Sequence, residues 1–175
     1  AGTALVKDIY SGSSGASPQN LTNVGGALYF SASDPANGTE LWKSDGTSAG
    51  TVLVKDIYAG VGGSSPSKLT SMGGALYFSA SDPTNGVELW KSDGTSVGTT
   101  LVKDIWPGGS NSNPNNLTTV AGTLYFRAAD PTNGNELWRS DGTAAGTVLA
   151  ADIAAGDASS SPSGTSRPPP GPSAS

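Results

Sequence analysis

Apolar residues in this chain come in short runs, separated by glycine, proline, asparagine and aspartate, and no run has the length or the 3.6-residue spacing of a helix. The stretch 50–97 shows the arrangement. Residues 51–57 are apolar and β-branched, 68–72 form a short second segment, 75–81 contain Leu76-Tyr77-Phe78, and 87–91 contain Glu88-Leu89-Trp90. Each is long enough for a strand only. Turn chemistry falls between them at Gly73-Gly74, at residues 82–86 (Asp-Pro-Thr-Asn-Gly) and at Asp93-Gly94. Three consecutive apolar residues in Leu76-Tyr77-Phe78 predict a strand covered on both faces, because a strand with one wet face alternates.

The pattern is periodic. Glu40-Leu41-Trp42-Lys43-Ser44-Asp45-Gly46-Thr47 returns unchanged 48 residues later and again, with Arg139 for lysine, after a further 48. Units 2–49 and 50–97 agree at 36 of 48 aligned positions, unit 98–145 diverges more, and a partial fourth copy runs through 146–163. The predicted fold is all-β: three four-stranded repeats, read as β-propeller-like blades, with a threefold β-trefoil or β-prism as the alternative. Residues 164–175, rich in proline and serine, are predicted to form an extended tail outside the repeat domain of residues 1–163.

Composition narrows the function. The chain has 175 residues, a net charge of −5 and only 9 Lys and Arg, which argues against nucleic-acid binding. Cysteine and histidine are both absent, so thiolate chemistry, disulfides and the commonest general base are excluded. No apolar stretch approaches the length of a membrane span. The start at Ala1-Gly2-Thr3, without methionine or a signal-peptide pattern, suggests a chain processed or excised from something longer. A composition rich in Gly, Ser, Thr and Asn suits an extracellular or cell-surface protein.

The motifs Gly-x-Leu-Tyr-Phe-x-Ala-x-Asp, Gly-x-Glu-Leu-Trp-x-Ser-Asp-Gly-Thr and Gly-Thr-x-Leu-Val-Lys-Asp-Ile resemble those of the ELWxxDGT repeat family of bacterial exported proteins, over residues 2–163. The resemblance implies kelch-like, propeller-like repeats and an exported location. It transfers no catalytic residue, and no cofactor is expected apart from the weak calcium candidates below.

Among candidate site residues, Trp42, Trp90 and Trp138 are either packing residues or a set of sugar-stacking platforms, the latter giving a carbohydrate-binding reading. Asp34, Asp82 and Asp130 open Asp-Pro-x-Asn-Gly turns and are weak calcium candidates, since the alternating acids of an EF-hand loop are missing. Asp8, Asp56, Asp104 and Asp152 are read as turn caps. Asn20, Asn37 and Asn116 head sequons placed in turns, hence candidate glycosylation sites. A single ligand pocket, if present, is expected in the divergent third unit, near Trp106, Arg127, Arg139 and residues 111–116.

The ends carry the functional expectation. Residues 2–9 and 146–153 are equivalent strands in a chain of three units, so one strand is in excess. Leu5, Val6 and Ile9 at one end, with Val148, Leu149 and Ile153 at the other, are therefore expected to be assembly strands, joining copies head to tail by strand addition. The reading is a non-catalytic structural protein, a fibre or surface module whose main partner is itself, with carbohydrate binding as the alternative.

Overall fold

The computed structural model describes residues 2–153. Its twelve strands form three four-stranded antiparallel sheets, each a meander in chain order. The first contains β1 (Gln19–Val24), β2 (Ala27–Asp34), β3 (Gly38–Ser44) and β4 (Val52–Lys55). The second contains β5 (Ser67–Met72), β6 (Ala75–Asp82), β7 (Gly86–Ser92) and β8 (Thr100–Lys103). The third contains β9 (Asn115–Val120), β10 (Thr123–Asp130), β11 (Gly134–Ser140) and β12 (Val148–Ala151). Among the described residues there is no helix, hence none long and apolar enough to cross a membrane, and strand pairing stays inside each group of four.

The sheets are offset from the sequence units. Each copy of Leu-Val-Lys-Asp-Ile closes the sheet before it, because Trp42, Trp90 and Trp138 pair with Leu53, Leu101 and Leu149. The copy at 146–153 is therefore not a surplus strand: it supplies β12, the fourth strand of the third sheet. The copy at 2–9 is the unpaired one. It pairs with no strand among the described residues, and Leu5 and Val6 are 81% and 46% exposed. Of the two equivalent segments, the one in excess is therefore 2–9, and Val148 and Leu149 belong to a paired strand.

Within each sheet the two long central strands are set by one turn. Asp34 Oδ1 accepts the backbone N–H of Ala36 at 2.7 Å and of Asn37 at 2.9 Å, and Oδ2 accepts Asn37 Nδ2 at 2.8 Å. Gly38 then takes φ +67°, a left-handed conformation that suits glycine. The ladder that follows pairs Ala32 with Glu40 and Phe30 with Trp42 in unbroken register, and the second and third sheets repeat it.

Packing between sheets is face to face. Leu76, Phe78, Ala80 and Trp90 of the second sheet bury against Val24, Tyr29 and Leu41 of the first, with Val54 and Ile57 alongside. Its other face, Met72, Tyr77 and Leu89, meets Leu124, Phe126, Ala128 and Trp138 of the third. The consecutive Leu-Tyr-Phe of β2, β6 and β10 is thus explained: neighbours in the run serve opposite faces. β1 lies beside β5 and β5 beside β9.

The connections between sheets are held by a buried acid. Glu40 is fully buried, and Oε1 accepts the N–H of Tyr58 at 3.1 Å and of Ser64 at 2.7 Å, while Oε2 accepts the Ser64 hydroxyl at 2.5 Å. Glu88 does the same for Ile105 N–H (3.0 Å), Ser112 N–H (2.9 Å) and the Ser112 hydroxyl (2.6 Å). The glutamate of one sheet thus receives the chain on its way into the next.

Removing one Trp from this stack leaves a large void on the two-sided core. Trp90→Ala is expected to destabilise the protein by about 3–5 kcal/mol, read from the midpoint of urea denaturation. A change under about 1 kcal/mol would mean that the ring is not the packing element described.

Candidate functional site

Trp42, Trp90 and Trp138 are only 6–7% exposed. Their indole N–H groups find no hydrogen-bond acceptor among the described residues, so the rings contribute through their faces and area. A sugar needs an open ring face, which these buried rings do not offer; they pack, and the stacking alternative has no platform at these three positions. Trp138 also receives the ammonium of Lys103, 5.8 Å from its ring centre.

Asp34, Asp82 and Asp130 each spend both carboxylate oxygens on their own turn, leaving little to offer a cation. No group of three acids that could hold a metal occurs among the described residues. Asp56 and Asp104 accept Gly60 and Gly108 N–H at 3.2 and 3.1 Å, as turn caps do, while Asp8 and Asp152 are exposed. Of the sequon asparagines, Asn20 and Asn116 lie in β1 and β9 rather than in turns, both at φ near +57° where the pairing register shifts. Asn20 Nδ2 is engaged with Ser31 Oγ and Pro66 O, and Asn37 Nδ2 with Asp34. Asn116 is exposed, and its side chain makes no hydrogen bond among the described residues. In the third unit, Arg127 is held by Asn135 at 3.0 Å, Asn111 caps the N–H of Val87, Trp106 is half-buried and Arg139 is exposed. These residues do not converge on one pocket.

Three long-range contacts recur at each sheet boundary. The ammonium of Lys43 donates to Gly94 O at 2.7 Å, and that of Lys91 to Gly142 O at 2.8 Å. Lys55 and Lys103 donate to Thr99 O and Thr147 O at 2.8 and 2.7 Å. The hydroxyls of Tyr29 and Tyr77 close on Gly94 and Gly142, where a Cβ would collide with them. Burial, then the negative charge of Asp93 or Asp141, raises the pKa of each of these tyrosines.

The same features continue past both ends of the stack. On the third sheet Val120, Tyr125 and Leu137 stand where Val24, Tyr29 and Leu41 stand on the first, yet Val120 is 54% and Leu137 37% exposed, against 6% and 0% for Val24 and Leu41. On the first sheet Leu21, Leu28 and Phe30, with Leu5, Val6 and Ile9 of the N-terminal segment, line an open apolar groove of about 220 Å³. The counterparts of Val6, Ile9, Leu21, Leu28 and Phe30 in the second unit are residues that receive Val24, Tyr29 and Leu41, whereas Leu53, the counterpart of Leu5, packs with Phe30 and Trp42. Gly46 is exposed where Gly94 and Gly142 are buried. The assembly residues expected from sequence are thus partly placed: Leu5, Val6 and Ile9 line this groove, whereas Val148 and Leu149 lie in β12 and Ile153 just beyond it. Val120, Tyr125 and Leu137 were missed by sequence reasoning, because in sequence they match buried residues and only their place in the last sheet exposes them.

A polar cleft of about 280 Å³ between the first two sheets is lined by Gln19, Asn20, Ser31, Ser33, Thr39 and Ser65 among others. It has no aromatic wall.

No protein-family model and no curated protein matches the chain. Among solved structures it is similar to the crystal structure of the computationally designed Ika8 protein, at 16% identity and a TM-score of 0.42, over 79% of this chain and 37% of that one. The chain therefore spans little more than a third of that protein's length.

The buried acids and the turn acids titrate in opposite directions. Burial pushes the carboxyls of Glu40 and Glu88 above the ordinary 4.5, against the pull of the serine hydroxyls and backbone N–H groups. Their contribution to stability is complete below 4.5 and is lost as pH rises through the raised value. Asp45, Asp93 and Asp141 are lowered from 3.8 by hydrogen bonds from the hydroxyl and N–H of Thr47, Thr95 and Thr143. At Asp34 and Asp130 burial acts upward, but the asparagine side-chain amide and turn N–H groups outweigh it. The aspartate contribution is complete above 3.8 and is lost as pH falls further. Thermal melts from pH 3 to pH 8 are expected to give a Tm maximum between the ordinary values of 3.8 and 4.5, falling on both sides. A Tm still climbing at pH 7 would contradict this balance.

Proposed function

We propose that the protein is a non-catalytic structural module that assembles head to tail with further copies of itself, outside the cell or at its surface. The observation that carries the reading is the fit between the two ends. The third sheet offers Val120, Tyr125 and Leu137, and the first unit keeps an apolar groove at the positions that take the equivalent side chains at both internal boundaries. The partner best matched to each end is therefore the other end of the same chain. Such a contact uses two different patches and so propagates: it gives a ring where the rotation closes and a filament where it does not.

The units are read as propeller-type blades in place of trefoil units, since strands pair only within each group of four and the sheets stack by their faces with β1, β5 and β9 side by side. The non-catalytic reading rests on the lack of His and Cys and on the structural hydrogen bonds that occupy Glu40, Glu88 and the turn aspartates. The resemblance to exported ELWxxDGT repeats and the Gly, Ser, Thr and Asn content support the location. The carbohydrate alternative has only the polar cleft between the first two sheets, which lacks a stacking platform.

Light scattering over a concentration series tests the reading. Mass above the 17.3 kDa monomer is expected to grow with concentration. Leu137→Asp, which charges the offered face at an exposed position, is expected to move the association midpoint at least about tenfold upward, the equivalent of ~1.4 kcal/mol. A wild-type chain that stays monomeric throughout would overturn the proposal.

A further inference from the structure

Residues 2–9 of one copy and β12 of the copy before it claim the same place in such a joint. Three hydrogen bonds fix this. Lys7 donates to Thr51 O at 2.8 Å as Lys55 donates to Thr99 O and Lys103 to Thr147 O, each across 44 residues, so residues 2–9 sit against the first sheet as β4 and β8 sit against the sheets that follow them. The connection behind agrees: Ser33 N–H donates to Ala16 O as Ser81 does to Ser64 O and Ala129 to Ser112 O. Residues 2–9 therefore already occupy the position that β4 and β8 hold against the sheets that follow them, with no further strand of such a sheet among the described residues.

The two claimants are not equal. Val54 and Val102 point into the neighbouring core at 5% exposure, and Lys55 and Lys103 tie down the next sheet. The first copy keeps both types as Val6 and Lys7, whereas β12 has Ala150 and Ala151, both exposed. A joint closed by β12 would have no valine in the shared core and no ammonium for Thr51 O. A joint closed by residues 2–9 keeps both, and its Lys7 bond is already formed.

Resting on the head-to-tail reading, we propose that on assembly residues 4–7 of the incoming copy displace β12 (Val148–Ala151) from the edge of β11 and complete the third sheet by strand exchange. The expected register follows the other sheets. Lys43 faces Val52, Lys91 faces Thr100 and Arg139 faces Val148, so Arg139 of one copy is to face Ala4 of the next. The exchange gives the joint a safeguard: a lone copy keeps its β11 edge covered by β12, and the edge is released only to the matching segment.

Because the chain has no cysteine, paired cysteines read the strand directly. Facing residues of an antiparallel pair lie within disulfide reach. Arg139→Cys with Val148→Cys staples β12 in place: the oxidised protein is expected to stay monomeric, and reduction is expected to restore assembly, which also shows that the variant folds. Arg139→Cys with Ala4→Cys is expected to give disulfide-linked dimers and higher multimers on non-reducing gels. An oxidised β12 staple that assembles like its reduced form would overturn the exchange while leaving head-to-tail assembly intact. Failure of the wild-type chain to assemble at all would remove both.

Discussion

Everything in this fold hangs on a carboxylate placed where water cannot reach it. A buried acid is costly unless its lone pairs are taken, and each sheet here buries one in the middle of its third strand. The groups that satisfy Glu40 and Glu88 come from elsewhere in the chain: amides and one hydroxyl of the connection leading to the next sheet. A sheet therefore completes its own core only when the chain beyond it has been folded back. Ala16, at the matching position of the first connection, has no hydroxyl to offer.

That coupling makes the structure a stack in which each sheet is defined by its neighbours. Lys43 and Tyr29 reach forward to the Asp-Gly-Thr loop of the next sheet, and Lys55 reaches forward to Thr99. On the proposed assembly, the exposed Val120 and Leu137 of one copy would meet the groove beneath Leu5 and Val6 of another. Heterologous assembly needs no invented surface, since it extends a contact already made twice within one chain.

The fold was legible in the sequence to an unusual degree. A 48-residue period and turn residues at fixed offsets together implied three four-stranded sheets, the Asp-Pro-x-Asn-Gly segments behaved as turns, and the two-faced covering implied by Leu-Tyr-Phe is complete on the second sheet alone. The frame of the repeat was not legible. Periodicity fixes spacing but not phase, so Leu-Val-Lys-Asp-Ile could open a unit or close one, and only the pairing of Trp42 with Leu53 decides that it closes. This shifted the surplus segment to one end, residues 2–9. The tryptophans were open to two readings because stacking and packing use the same ring. Exposure of Val120 and Leu137 was invisible for a related reason: an end position has no signature of its own in a repeating sequence.

The central claim, that the two ends of the stack are complementary and different, is tested most directly by mixing two variants that are each blocked at one end. Leu137→Asp spoils the third-sheet face and keeps the groove; Val6→Asp spoils the groove and keeps the face. Sedimentation of each variant alone is expected to give monomer. The equimolar mixture is expected to give a one-to-one dimer and nothing larger, since the one good face and the one good groove are then used up. A mixture that remains monomeric while the wild-type chain assembles, or either variant assembling alone as the wild type does, would contradict the account.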